Sequence, residues 1–261
     1  MSRARRRLTL VATCAMLGCG ALGAPLRADH FPDCPAGFPL TTGVSTYYTY
    51  TPGTGACTLP ATPAGVYGVA LSVPEYDAGT ACGQCLRVWG PEGSIVARVV
   101  DECPGCGAGH IDLETAGFAA IAPLAAGIVD VAYWSIECPT TGNVSWELQG
   151  SNPFYVKAQI RNQPYALSAM DLFYDSTWHA MARTVDGYFE LSTGVSLTPP
   201  IQLRATDIHG HVIADSVPLT NDTDLPGSTQ FKRCNDLHLD GFDGGATIPV
   251  WSTAEPYSPP P

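Results

Sequence analysis

The sequence has few basic residues, no long apolar run after its N-terminus and little helical periodicity. Its 261 residues include 13 Lys and Arg against 24 Asp and Glu, a formal net charge of −11. Proteins that bind nucleic acids or anionic membranes need basic patches, so we expect neither of these partners. The scarcity of helical periodicity, together with 27 Gly and 23 Pro, indicates an all-β protein with many turns.

The N-terminus has the three parts of a secretory signal peptide. Four arginines precede an apolar run from Leu8 to Leu22, and small residues lead to Leu26-Arg27-Ala28. We predict that residues 1–28 are removed and that the protein is secreted to the extracellular space, with lipid anchoring at Cys19 as a minor alternative. Removal leaves 8 basic residues against 24 acidic ones, a net charge of about −16, which suits a neutral partner.

The cysteine count favours disulfides. Eight of the ten cysteines remain after the signal peptide, and an even number in an exported chain indicates four bonds. Cys82-x2-Cys85 and Cys103-x2-Cys106 also have the spacing of a four-cysteine zinc site. Because the compartment is oxidising and four further cysteines need partners, we favour disulfides and expect no metal and no cofactor.

Turn signals divide the mature chain into two parts. Strands separated by turns are predicted up to residue 139, with one helix from Glu114 to Ala122 that Asp112 is placed to cap. After a short linker at Cys138–Gly142, seven short strands predict a β-sandwich over residues 143–231. Trp178–Thr184 is taken as one of these strands. Residues 232–261 form a Gly- and Pro-rich tail.

The stretch from Val99 to Leu113 carries the clearest functional signal. An apolar strand leads into a Cys-Pro-Gly-Cys loop and returns through His110-Ile-Asp112, so Asp101 and Asp112 lie at the two ends of one short loop. Paired carboxylates are the groups that enzymes use on glycosidic bonds. This stretch therefore predicts a polysaccharide site.

Both parts of the chain contain several distinctive motifs. The first part contains Gly43-Val-Ser-Thr46-Tyr47-Tyr48, Cys82-Gly-Gln-Cys85, Val100-Asp101, His110-Ile-Asp112-Leu and Trp134-Ser-Ile-Glu-Cys138-Pro. The second contains Phe154-Tyr155-Val-Lys-Ala-Gln-Ile-Arg161-Asn162 and Ala205-Thr-Asp-Ile-His-Gly210. Together these motifs resemble those of the expansins, and the resemblance covers residues 40–231. It implies a six-stranded double-psi β-barrel at 29–139, of the type shared with barwin-like proteins and family-45 endoglucanases, followed by an immunoglobulin-like, carbohydrate-binding β-sandwich.

The resemblance implies a monomer that binds cellulose and matrix glycans of the plant cell wall and loosens them without hydrolysis. The family's polar site maps onto Thr46, Asp101 and Asp112, with His110 either packing or contacting sugar. A tyrosine of many bacterial members is Cys103 here. We expect Tyr47 or Tyr48 to compensate in part.

Enzymatic alternatives depend on a second carboxylate. In the related inverting endoglucanases the acid corresponds to Asp112, while the base lies in the segment matching Thr46–Tyr50, which contains no acid here. A weak endoglucanase is therefore disfavoured. A single Asp112 is compatible with a lytic transglycosylase acting on peptidoglycan, and a non-catalytic barwin-like carbohydrate-binding protein is the third alternative.

The resemblance also implies an aromatic platform on the sandwich. The family's first two positions are Phe154 and Tyr155, and both are exposed only if the strand begins irregularly, which Pro153 favours. The third position is Asp186, so we expect Tyr188 or Trp178 to substitute.

The expected disulfides follow in part from the same resemblance. It implies Cys57–Cys82 and Cys85–Cys138, and Cys103–Cys106 closes the small loop. By elimination, Cys34 pairs with Cys234.

Overall fold

The computed structural model describes residues 39–233, and six of its strands close into a barrel. The strands are β1 Thr41–Tyr48, β2 Val66–Ser72, β3 Cys85–Gly90, β4 Gly93–Cys103, β5 His110–Glu114 and β6 Val129–Ile136. Their order around the barrel is β1-β5-β2-β4-β3-β6, and parallel pairs (β1 with β5, β2 with β4) mix with antiparallel ones. This confirms the predicted double-psi β-barrel.

Alternating side chains fill the barrel. Residues two apart on a strand share a face, and in β5 Ile111 and Leu113 point inward while His110, Asp112 and Glu114 point outward. The core takes residues from β2 to β6, and its members are 6% exposed or less. They include Val69, Leu71, Val88, Ile95, Ala97, Val99, Ile111, Leu113, Val131 and Tyr133.

The helices of the barrel are shorter than the sequence indicates. α1 spans Val73–Tyr76 and was not predicted, while α2 spans Thr115–Ala119 instead of Glu114–Ala122. The predicted cap at Asp112 is wrong, because Glu114 occupies the N-cap position and caps without a side-chain hydrogen bond. Asp112 belongs to β5, where strand pairing fixes its side chain on the outer face.

Between the barrel and residue 233, nine strands form two packed sheets, more than the seven predicted. The strands are β7 Ser145–Leu148, β8 Tyr155–Arg161, β9 Leu167–Tyr174, β10 Thr177–Ala180, β11 Ala182–Arg183, β12 Phe189–Ser192, β13 Ile201–Asp207, β14 Val212–Val217 and β15 Leu225–Pro226. One sheet has the order β10-β9-β13-β14 and the other β11-β12-β8-β7-β15.

The predicted strand Trp178–Thr184 is divided between the two sheets. β10 pairs with β9, whereas β11 pairs with β12. Between them Met181 turns into the sandwich core, where it is 7% exposed. Because the chain changes sheets at Met181, Trp178 lies in the four-stranded sheet and not beside Tyr155.

Three of the expected disulfides are present: Cys57–Cys82, Cys85–Cys138 and Cys103–Cys106. All four cysteines of the zinc-like spacing are therefore bonded to other sulfurs and offer no thiolate for a metal, which overturns the zinc alternative. Cys34 and Cys234 lie outside the described residues, as do the predicted signal peptide and nearly all of the tail.

The barrel and the sandwich pack closely against each other and belong to one compact unit. Direct contacts include the Cys138 N–H donating to Pro164 O at 2.8 Å and the Tyr76 hydroxyl donating to Val185 O at 2.5 Å. Between residues 39 and 233, no helix has the length and apolar character needed to cross a membrane.

Candidate functional site

Strand register brings the predicted polar residues of the barrel into one row. Thr46 pairs with Asp112, Asp112 pairs with Ala70, and Ala70 pairs with Asp101, across β1, β5, β2 and β4. Neighbouring strands are about 4.8 Å apart, so the Asp112 and Asp101 Cα atoms are about 10 Å apart. We call Thr46, Asp112, Ala70 and Asp101 the polar row. Asp112 stands in it between the Thr46 hydroxyl and Asp101.

One hydroxyl joins three side chains at the Thr46 end of the row. Thr46 Oγ1 donates to Asp112 Oδ1 at 2.7 Å and lies 2.9 Å from His110 Nε2. A threonine hydroxyl carries a single hydrogen, so the bond to His110 must run the other way, with Nε2–H as donor. The geometry thus assigns the Nε2–H tautomer to His110 and orients the Asp112 carboxylate.

The Asp101 carboxylate is held by backbone N–H groups. Oδ1 accepts from Ala56 N at 2.6 Å and from Glu102 N at 2.9 Å. Hydrogen bonds to an ionised acceptor are among the stronger ones in proteins. The first of these bonds holds Ala56 beside the polar row, and the neighbouring Cys57 is bonded through its disulfide to Cys82.

The two candidate tyrosines of β1 lie on opposite sides of the strand. Tyr48 is on the outer face with Thr46, and burial, followed by the Asp101 charge, raises the pKa of its phenol. Its hydroxyl is buried beside the Asp101 carboxylate. Tyr47 instead packs on the Phe118 ring of α2, with centroids 4.9 Å apart. Of the two, only Tyr48 lies on the face of the polar row.

Two further residues near the polar row were missed by the sequence analysis. Glu114 follows Asp112 by two residues on the outer face of β5 and pairs with Tyr48. Tyr50 packs over Gly68, where a side chain would come within 3.1 Å of its ring. The period-2 pattern of His110, Asp112 and Glu114 would have found Glu114. Within the described part of the chain, no Lys or Arg forms an ion pair with the carboxylates of Asp101, Asp112 or Glu114.

The first two platform residues lie side by side on the sandwich. Phe154 sits in the turn before β8 and is 55% exposed, which agrees with the expected irregular start of the strand. Tyr155 is the first residue of β8, and its hydroxyl donates to Glu190 Oε2 at 2.5 Å. Burial and this hydrogen bond raise the pKa of Tyr155 to about 12.

The third platform position, Asp186, is occupied by an ion pair. Lys157 Nζ lies 2.6 Å from Asp186 Oδ2 and donates to Gln149 Oε1 at 2.8 Å. Burial pushes the pKa of Asp186 up, but hydrogen bonds from Lys157 and Thr184 outweigh it and lower the pKa below its ordinary value. The position is therefore polar and fixed.

Neither proposed substitute reaches the platform. Tyr188 is 1% exposed, and its hydroxyl donates to the buried Glu147 carboxylate, so this expectation is wrong. Trp178 lies in the other sheet, where its ring contacts Phe173 and carries the Arg204 guanidinium 4.6 Å from its centroid. Tyr188 lies just before β12, on the side that faces the barrel. Trp178 lies in β10, before the chain passes at Met181 from one sheet to the other. Neither position can be read from the sequence.

Known proteins share this architecture. The model of a family described as lytic transglycolase matches residues 68–133. Expansin-YoaJ of Bacillus subtilis is 28% identical over 158 residues, 58% of this chain and 67% of that protein. A papain inhibitor of Streptomyces mobaraensis is 35% identical over 137 residues, 50% of this chain and 94% of the inhibitor. For plant expansins of Arabidopsis thaliana, the match covers only 41% of the first two relatives' length.

A solved structure extends the similarity over both parts of the chain. The expansin of Clavibacter michiganensis, crystallised as a point mutant in complex with cellohexaose, superposes with a TM-score of 0.70 and 28% identity. The match covers 75% of this chain and all of that one. A double-psi barrel with a polar row, joined to a sandwich with exposed aromatic residues, defines an expansin-type carbohydrate-binding protein. Together these comparisons support a bacterial expansin.

Proposed function

We propose that this protein is exported, binds cellulose and associated glycans of the plant cell wall, and loosens them without cutting a glycosidic bond. The polar row supplies hydrogen bonds to sugar hydroxyls, and Phe154 and Tyr155 supply ring faces. The apolar C–H faces of a glucan can stack on such rings. A solved relative in complex with cellohexaose supports a β-glucan as the ligand class.

The observation that carries the non-hydrolytic part is the hydrogen bond between Thr46 and Asp112. Hydrolysis with inversion needs a second carboxylate to activate water opposite the acid. The hydroxyl of Thr46 stands beside Asp112 in β1, and residues 46–50 contain no carboxylate. Thr46 and Asp112 can hold a sugar hydroxyl, but residues 46–50 place no second carboxylate opposite Asp112 to activate water.

The negative charge of the protein favours an uncharged polysaccharide as the ligand over an acidic one. The carboxylates of Asp101, Asp112 and Glu114 are not neutralised by basic side chains in residues 39–233. Acidic pectins would be repelled by this surface and by the net charge of the chain. Uncharged cellulose suffers no such repulsion.

The test compares wild type with Asp112→Asn on crystalline cellulose, on wall strips under constant load, and in product analysis. We expect wild type to bind cellulose, to extend the strips and to release no soluble sugar. Asp112→Asn should bind but extend the strips much less. Asp130→Asn, an exposed carboxylate of β6 outside the row, is the matched control and should behave as wild type.

Two outcomes would replace this proposal. Soluble glucan products that disappear in Asp112→Asn would show an endoglucanase. Cellulose binding without wall extension by wild type would indicate a non-catalytic, barwin-like carbohydrate-binding protein.

A second candidate, a lytic transglycosylase acting on peptidoglycan, is favoured by the family match over residues 68–133 and by the lone Asp112. Such a reaction needs a catalytic acid but no activated water. Incubation with purified peptidoglycan and mass spectrometry of the soluble fraction decides it. Release of anhydro-muropeptides by wild type but not by Asp112→Asn would establish this activity.

A further inference from the structure

A buried glutamine lies between the barrel and the platform. Gln159, on the outer face of β8, is 2% exposed. Its Nε2 donates to Cys57 O at 3.0 Å in the barrel and to Asp186 O at 3.3 Å in the sandwich. Its Oε1 accepts from Arg161 Nε at 3.1 Å. Two carbonyl acceptors and one N–H donor leave only one orientation for the amide.

Both carbonyl groups that accept from Gln159 belong to segments that adjoin the proposed glycan contacts. On the barrel side, Cys57 follows Ala56, whose N–H holds the Asp101 carboxylate at 2.6 Å. On the sandwich side, the Asp186 carboxylate holds Lys157 at 2.6 Å. Gln159 therefore bonds to the backbone of Cys57, which is next in the chain to the residue that holds Asp101. It also bonds to the backbone of Asp186, the third platform position.

The same strand face connects the contact to the aromatic residues. Gln159, Lys157 and Tyr155 are two residues apart along β8 and share its outer face. With about 3.3 Å per residue, Tyr155 lies about 13 Å along the strand from Gln159. The same face of β8 therefore contacts the barrel at Gln159 and carries the platform residue Tyr155 at its other end.

Neighbouring groups hold Gln159 in place. Arg161 pairs with Glu147 at 2.7 Å, and the buried Tyr188 hydroxyl also donates to this carboxylate. Arg161 Nη2 is also 3.5 Å from Thr58 O in the barrel. A buried network is costly when one partner is removed, because the remaining groups lose their hydrogen bonds away from water. Of the two residues that bond to both sides, Gln159 makes the shorter contact with the barrel, at 3.0 Å against 3.5 Å for Arg161.

We propose that Gln159 is a positioning residue that fixes the alignment of the polar row with Phe154 and Tyr155, so that one unbranched glycan chain long enough to reach both occupies them together. The inference rests on the proposed function and specifies its ligand as a long chain, not a short oligosaccharide. Two aligned sites on one chain gain affinity through effective concentration, and the gain disappears when the geometry is lost.

The test uses Gln159→Leu, which removes all three hydrogen bonds with little change in volume. Binding is measured by calorimetry with cellotriose and by depletion on amorphous cellulose, and barrel–sandwich alignment by residual dipolar couplings. We expect cellotriose affinity within about twofold of wild type, cellulose affinity at least about tenfold lower, and altered interdomain couplings. Ser151→Ala is the control, because it removes buried hydrogen bonds to Lys157 within the sandwich only.

A second variant guards against misfolding. Gln159→Glu keeps the acceptor for Arg161 but offers no donor to the carbonyls of Cys57 and Asp186, so it should show the same loss for the polymer alone. Melting curves confirm that each variant is folded.

The outcomes separate the two proposals. Wild-type binding to cellulose that Gln159→Leu and Gln159→Glu retain in full would overturn the inference and leave the proposed function standing. An equal loss for cellotriose and cellulose would also overturn it, since that pattern marks general damage to the fold. Wild type that binds neither ligand would refute the proposed function, and the long-chain inference with it.

Discussion

Thr46 donates a hydrogen bond to the Asp112 carboxylate at 2.7 Å, across two parallel strands that are 66 residues apart in sequence. The bond orients a carboxylate that has no Lys or Arg partner in residues 39–233. It also places a hydroxyl where the related hydrolases need a base. The pair is the centre of the site that we propose binds sugar hydroxyls without activating water.

Removing the Thr46 hydroxyl should impair wall loosening more than it impairs stability. Thr46→Val keeps the shape of the side chain but leaves Asp112 and His110 without their shared partner, at a cost of about 1 kcal/mol in unfolding free energy. Thr46→Ser keeps the hydroxyl and is the matched control. Wall-strip extension should fall severalfold for valine and stay near wild type for serine. Equal extension by both variants would show that the hydroxyl has no role.

The platform should depend on Phe154 and Tyr155 and not on Trp178. The double substitution to alanine removes the exposed rings, and we expect at least tenfold weaker cellulose binding, or about 1.4 kcal/mol. Trp178→Ala removes a larger ring from the other sheet and should leave cellulose binding unchanged. Depletion isotherms on crystalline cellulose measure both. If cellulose binding is retained by the double variant but lost in Trp178→Ala, then Trp178, and not Phe154 and Tyr155, forms the binding surface.

Close backbone packing beside the polar row should make Gly43 intolerant of any side chain. A Cβ at Gly43 would lie 1.8 Å from Gly109 O, so the strand or the 103–109 loop must move. We expect Gly43→Ala to lower the unfolding free energy by about 1–3 kcal/mol. Gly105→Ala, in the same loop with no atom within 4 Å, is the control and should melt as wild type. The measurement is thermal unfolding by circular dichroism.

Stability should fall at alkaline pH. Burial is the main cause that raises the pKa of Tyr48, Tyr76, Tyr133 and Tyr188 above the ordinary value of 10.0. A raised pKa in the folded state means that the unfolded chain loses these protons first, so their contribution is complete below pH 10 and declines as pH rises above it. Urea unfolding across this range, with tyrosinate absorbance recorded in parallel, checks the prediction. Stability that is constant above pH 10 would contradict it.

The fourth disulfide remains a prediction. Cys34 and Cys234 are the two cysteines of the mature chain left after the three observed bonds. Mass spectrometry of unreduced peptides should find them joined. Detection of either residue as a free thiol would refute the pairing.

Much of the barrel site was predictable because its residues are local to short motifs. Asp101, His110 and Asp112 flank one loop, and strand alternation places His110 and Asp112 on one face. Thr46 came from the family resemblance, since nothing in its own segment points to Asp112. The helix cap at Asp112 failed as a prediction because the backbone stays extended through Glu114.

The sandwich residues were harder to predict, since their positions depend on which sheet each strand joins. Trp178 and Tyr188 both lie in strand-like segments near Asp186 in sequence. A corner at Met181 sends the chain from one sheet to the other, and the barrel covers the face that carries Tyr188. A pattern of alternating residues does not say what will cover each face.

The sequence by itself determined the all-β composition, the acidic charge, the cysteines available for pairing and the motifs of the family, because these depend on residue type and short spacing. Only the tertiary structure decided that Thr46 meets Asp112, that Tyr48 and not Tyr47 lies on the face of the polar row, and that Gln159 joins the barrel to the platform. Each of these contacts depends on the register or packing of strands distant in sequence, which is set by how the whole core fills.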